Sequence, residues 1–180
     1  MPLAPNLLYS DSNEGNQRPT SSSTPPPIQV WYQCMQMAEC PPQTAVAFLN
    51  QVHPLLNTPL TSSSQTLLML AASISSPNLI KAALYYHPNL ELADSIGRTA
   101  LHYAAAVGSI EIFELLVKAG SKVDPQTIGG ETPLAKACIF GQSDIIEWYL
   151  NNSLPTFEKA DRMGNKPLHA LKNSSQTLHD

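Results

Sequence analysis

The 180-residue chain is 43% hydrophobic and only 13% charged, with a net charge of −4, which supports a buried core under a surface leaning on Ser, Thr, Asn and Gln. An isoelectric point near 5.7 speaks against nucleic acid as a partner, because that function needs a basic stripe. The longest apolar run, Leu67 to Ala72, falls well below the roughly 18 residues that span a bilayer, so membrane insertion is not expected.

Residues 1–27 hold Pro2, Pro5, Pro19 and Pro25-Pro26-Pro27, a Ser/Thr run from Thr20 to Thr24, and almost no bulky apolar residue after Tyr9. Such a segment cannot assemble a core and is expected to form a disordered or extended tail. It opens without a basic n-region or an apolar h-region, so no secretory signal is expected. Cys34, Cys40 and Cys138 match neither a zinc pattern nor a disulfide framework, which favours a reducing compartment, cytoplasmic or nuclear.

From Ile28 onward helical periodicities begin, and the organising signal is an echo. Gly97-Arg98-Thr99-Ala100-Leu101-His102-Tyr103-Ala104-Ala105 returns 33 residues later as Gly130-Glu131-Thr132-Pro133-Leu134-Ala135-Lys136-Ala137-Cys138. A period of that size marks stacked supersecondary units, none of which buries its apolar face alone. Stepping back by 33 reaches Thr66, Leu68 and Ala71, then Gln33, Met35 and Ala38, where the turn residues are gone. Stepping forward by 34 reaches Gly164-Asn165-Lys166-Pro167-Leu168-His169-Ala170. The expected units are therefore a degenerate capping repeat over 28–60, repeats over 61–93, 94–126 and 127–160, and a partial repeat over 161–180.

Each recurrent residue has a physical task. Gly97, Gly130 and Gly164 precede helices and suit a turn of positive φ. Thr99 and Thr132 stand where a hydroxyl accepts from an orphan N–H, and Pro133 and Pro167 occupy the first helical position. Leu101, Ala104, Ala105, Ile112, Leu115 and Leu116 follow helical spacing and should face neighbouring repeats. Gly108, Gly141 and Gly120 should terminate helices. Ala135 replaces the recurrent His and Lys166 the recurrent Thr, so each should lose a local hydrogen bond worth about 1 kcal/mol, and Thr127 stands where Asp94 and Asp161 stand in their copies, so that copy lacks the early Asp as well.

In these residues the chain resembles the ankyrin repeat family, most fully from Asp94 to Gly120. The resemblance implies an all-α solenoid of helix-turn-helix units joined by β-hairpin-like loops, with His102 and His169 tying helix to hairpin. No catalytic motif of the G-x-S-x-G, phosphate-loop or H-E-x-x-H kind is present in the sequence. No enzyme activity, cofactor, metal or small-molecule substrate is therefore expected. Cys34 and Cys40 are expected on different faces of one helix, and Cys138 should be a buried, inert thiol.

Carried over position by position, the family's concave face picks out Ser95, Ile96, Arg98 and Val107 in the best copy. The next copy supplies Ile128, Glu131, Ile139 and Phe140, and the last supplies Arg162, Met163 and Asn165. Six of these are apolar where solvent-facing residues are normally polar. Either they form an exposed patch for a protein partner, or they pack beneath the hairpins. Arg98, Glu131 and Arg162 would form a charged rim. The implied function is a non-enzymatic scaffold for a protein partner, with an accessory subunit of a large cytoskeletal, mitochondrial or proteasome-associated assembly as the alternative.

Overall fold

The computed structural model describes residues 26–152 and 155–169. Among them eight α-helices follow one another in four consecutive pairs: α1 Pro27–Met35 and α2 Pro42–Val52, α3 Leu67–Ser73 and α4 Pro77–Leu84, α5 Ala100–Val107 and α6 Ile110–Lys118, α7 Pro133–Ile139 and α8 Ser143–Asn151. The first members stack in the order α1, α3, α5, α7 as an inner layer, and α2, α4, α6, α8 stack as an outer layer. A final helical turn over 167–169 opens a fifth unit. No strand occurs among the described residues, so the architecture is an all-α solenoid.

Residues in the same register build the core. Leu68, Leu101 and Leu134 are buried along the inner layer, with Ala71 and Ala72, Ala104 and Ala105, and Ala137 and Cys138 beside them. These small side chains let neighbouring inner helices approach closely. Ala83, Leu116 and Tyr149 repeat the arrangement in the outer layer, each fully buried. Phe113, which the helical spacing of Ile112, Leu115 and Leu116 did not single out, is fully buried, whereas Leu115 is only partly so. Its ring lies 5.1 Å from that of Trp148 and 5.6 Å from that of Tyr149, locking α6 to α8 through aromatic packing.

The loops between pairs are hydrogen-bonded turns that also bond to one another. Within a turn, Asp94 N–H donates to Arg98 O, Thr127 N–H to Glu131 O and Asp161 N–H to Asn165 O. Between turns, Ser95 N–H donates to Ser63 O, Ile128 N–H to Ile96 O and Arg162 N–H to Gly129 O, each at 2.9 Å. The Asp missing at Thr127 is partly made good, because the Thr127 hydroxyl accepts from Glu131 N–H at 3.1 Å. Thr61 does the same for Gln65 N–H at 3.0 Å. In both cases the hydroxyl takes over the bond that Asp94 Oδ1 accepts from Arg98 N–H.

Gly97 has φ +85° and lies so close to the next turn that a Cβ would stand 2.8 Å from Ile128 N; at Gly130, φ +83°, a Cβ would stand 2.9 Å from Arg162 N. Here glycine is required twice, by backbone conformation and by the approach of the neighbour. The corresponding places one repeat earlier hold Ser64, Ser75 and His87, all at positive φ, where the best copy has Gly97, Gly108 and Gly120.

The first unit departs from the 33-residue register. Gln33 lies in mid-helix and is exposed, and Ala38 falls beyond the end of α1, so neither fills the place its counterpart holds in α3. Prolines set the boundaries instead: Pro27 opens α1 and Pro42 opens α2, each at a position where the missing N–H costs nothing. Pro27, grouped with the tail on composition, is therefore helical. Cys34 and Cys40 do not share a helix, since α1 ends at Met35; both are buried. The tail expected before them lies outside the described residues, as does most of the partial last repeat.

Candidate functional site

The candidate face is built from turn tips and the exposed side of the inner helices. On α5, Tyr103 and Val107 are four residues apart and share one side of the helix; Lys136 on α7 and Phe140, which caps its end, repeat the spacing. Tyr103 and Lys136 reach toward the turns. The Tyr103 hydroxyl donates to Asp94 Oδ2 at 2.7 Å and accepts from Gln65 Nε2 at 2.7 Å. Lys136 Nζ sits 2.7 Å from Glu131 Oε2. The turns and inner helices thereby form one continuous surface.

All six apolar residues nominated from the sequence are exposed: Ile96, Val107, Ile128, Ile139, Phe140 at 58% and Met163 at 87%. They do not pack beneath the hairpins. Ile96, Ile128 and Met163 stand on successive turn tips, whose backbones are bonded to one another. Val107 and Phe140 occupy equivalent ends of α5 and α7, with Ile139 beside Phe140. Ser95 and Asn165 are exposed next to these tips, and Asn165 Nδ2 donates to Asp161 Oδ2 at 3.1 Å.

The charged residues of the rim differ in availability. Arg98 is half-buried: its Nε donates to Asp94 Oδ2 at 2.8 Å and its guanidinium lies 4.7 Å over the Tyr103 ring. Burial would raise the Asp94 carboxyl, but bonds from the Tyr103 hydroxyl and from the Arg98 and Ile96 groups outweigh it and hold the carboxyl below its ordinary range. The Tyr103 hydroxyl is pushed up to about 12, chiefly by burial and then by the bond to Asp94. Glu131 is tied to Lys136. Arg98 and Glu131 thus brace the face, while Arg162 is exposed at its edge.

Histidine at the helix start is structural. His102 Nδ1 accepts from Thr99 N–H at 3.1 Å, and Nε2 lies 3.1 Å from Glu131 O in the next turn. That pattern assigns the proton to Nε2. The same local bond recurs at His169, whose Nδ1 accepts from Lys166 N–H at 3.2 Å. Near the carboxy-terminal end two lysines are partnered by acids, Lys159 by Asp124 and Lys166 by Glu158.

A groove of about 680 Å³ lies between α2 and α4, lined by Pro42, Val46, Asn50, Lys81, Tyr85 and Tyr86 among others, and was not legible in the sequence. Apolar and polar side chains from two outer helices meet there without any local motif. Its polar groups are engaged within the chain: Tyr86 OH donates to Asn50 Oδ1 at 2.5 Å, and Lys81 pairs with Glu111 at 2.7 Å. No set of unspent polar groups converges there as a reactive site requires.

Helix pairs stacked through small residues, turns bonded one to the next, and an outward row of tips define a repeat protein that works through a surface. The match to the family model for ankyrin repeats (3 copies) covers residues 35–127, more than half of the chain. The chain belongs to the ankyrin repeat family, and its repeats are a protein–protein interaction module.

Among known proteins, it is 39% identical over 77 residues to palmitoyltransferase ZDHHC13 of Homo sapiens, a stretch covering 42% of this chain and 12% of that protein. It is 33% identical over 88 residues to the probable E3 ubiquitin-protein ligase XBOS32 of Oryza sativa subsp. japonica, covering 48% of this chain and 18% of that protein. Neurogenic locus notch homolog protein 1 of Mus musculus is 35% identical over 69 residues, covering 38% and 3% respectively. The chain thus spans less than a fifth of each of these relatives.

Proposed function

We propose that this protein is a non-enzymatic scaffold that captures a protein partner on the face formed by its turn tips and inner helices. The observation that carries the reading is the exposed apolar set Ile96, Val107, Ile128, Ile139, Phe140 and Met163, because a folded monomer rarely leaves so many large apolar groups uncovered on one side. Ser95, Asn165 and Arg162 supply polar contacts around it, and the braced Arg98 and Glu131 fix its shape. Aromatic and aliphatic anchors ringed by polar groups are the usual anatomy of an interface. The three free, buried thiols support a cytoplasmic or nuclear setting.

The test is the paired substitution Ile96→Asp with Phe140→Asp. Both side chains are exposed, so circular dichroism and thermal melting should be nearly unchanged. Quantified affinity capture should show partners of the wild-type chain depleted by at least about tenfold, the loss expected on removing two anchors. A folded double variant that retains every partner at wild-type levels overturns the assignment.

A further inference from the structure

The groove between α2 and α4 lies on the outer layer, away from the turn tips and inner helices, and its walls carry aromatic rings. Tyr85 is 77% exposed, and its ring meets that of Tyr86 edge-on at 5.4 Å. Tyr86 is in turn stacked on His53 at 4.7 Å, which fixes its ring in the wall. Across from them stand Pro42 and Val46 of α2, both exposed. From Pro42 to Asn50 this wall runs about 12 Å along the helix.

The groove also lacks net charge. Helix α2 has no charged residue, and between residues 26 and 80 the sole Asp, Glu, Lys or Arg is Glu39, which does not line the groove. Lys81, in the opposite wall, is neutralised by Glu111 at 2.7 Å. The outer helices that follow are different, since α6 and α8 carry Glu111, Glu114, Lys118, Asp144 and Glu147. Electrostatic complementarity therefore selects an uncharged occupant here.

The polar groups of the groove are engaged but not saturated, and what remains is mostly donor capacity. Asn50 Oδ1 accepts from the Tyr86 hydroxyl, while among the described residues Asn50 Nδ2 and the Tyr85 hydroxyl have no partner. Lys81 spends one of its ammonium hydrogens on Glu111. Asn78 Nδ2 donates to Cys40 O at 3.0 Å, which leaves Asn78 Oδ1 as an acceptor outnumbered by donors. An ordinary extended peptide brings an N–H with every carbonyl, whereas a proline-rich one brings carbonyl oxygens without N–H groups. In polyproline II form, which rises about 3.1 Å per residue, about four residues match the wall from Pro42 to Asn50.

We infer that the α2–α4 groove binds an uncharged, proline-rich segment of a partner protein in polyproline II form. The pyrrolidine rings lie against Tyr85, Tyr86 and Pro42, and ligand carbonyls accept from Asn50 Nδ2 and the Tyr85 hydroxyl. Such a ligand is ordered before it binds, so aromatic surface and a few donors suffice to hold it. The site is independent of the partner-binding face on the turns, α5 and α7, and occupation of one leaves the other open.

The experiment titrates the labelled full-length chain with an oligoproline peptide, and with a Gly-Ser peptide of equal length, and follows side-chain resonances by nuclear magnetic resonance. Oligoproline should shift the Tyr85 and Tyr86 rings and the Asn50 side-chain amide saturably, and the Gly-Ser peptide should not. Tyr85→Ala, at an exposed position, should keep the wild-type circular dichroism and weaken oligoproline binding by at least about tenfold. Phe140→Asp, on the other face, should bind oligoproline as the wild type does. Absence of a saturable shift up to about 5 mM peptide overturns the assignment, as do equal shifts with the Gly-Ser peptide or shifts confined to the inner face. Shifts at Tyr85 that grow with protein concentration without peptide overturn it in favour of a second copy of the chain.

Discussion

Both ring nitrogens of His102 are committed, one accepting from Thr99 N–H and the other facing Glu131 O, and the bonds require a neutral imidazole. Burial, reinforced by the Lys136 charge, lowers its pKa from 6.5 to about 4, against the opposing pull of the Glu131 carbonyl and of the Glu131 and Asp94 charges. The unfolded chain binds this proton below about 6.5 while the folded chain resists it until about 4, so stability falls as pH drops through that window by about 1.4 kcal/mol per pH unit. Urea unfolding at a series of pH values should show this slope in the wild type, and His102→Gln should flatten it. Asp94 acts lower down: its stabilisation is present above the ordinary carboxylate value of 3.8 and is lost as pH falls through its depressed folded value. The repeat position of His102 made its structural role legible in the sequence. Its acceptor in the following turn was not, because that bond depends on how the two repeats dock.

At the scale of the elements, the same turn is built with different residues in successive repeats. Glycine at 97, 108 and 120 was legible as a turn former, whereas Ser64, Ser75 and His87 in the preceding repeat have positive φ without any compositional sign of it. A left-handed conformation is written in the path of the chain, and only the register of the repeat exposes it. Thermal unfolding should separate the two costs involved. Gly120→Ala, whose Cβ would meet nothing within 4 Å, should lose about 1–2 kcal/mol from the backbone alone. Gly97→Ala adds the collision with Ile128 N at 2.8 Å and should cost about 3 kcal/mol or more. Ser75→Gly should gain about 0.5–1 kcal/mol, the relief of φ strain set against glycine's greater backbone entropy.

For the molecule as a whole, the stack from α3 to α8 was legible because Leu68, Leu101 and Leu134 recur with their small neighbours at a fixed step. The first unit was not, because Pro27 and Pro42 start its helices out of that register. Exposure of the nominated face was also left open by the sequence, since Ile128 and Phe140 have the composition of core residues and only docking decides which side they take. In the finished stack, each repeat is completed by the one that follows. His102 Nε2 is met by Glu131 O, Ala106 O by Gln142 Nε2 at 2.9 Å, and Ile96 O by Ile128 N–H. The cooperative unit is therefore out of phase with the sequence period, and this governs where the chain tolerates being severed. A chain stopped after residue 126, at the seam of the repeat, leaves all three of those groups without partners. One stopped after residue 142 retains them together with α7, so it should melt higher and resist proteolysis longer, although it ends halfway through a repeat.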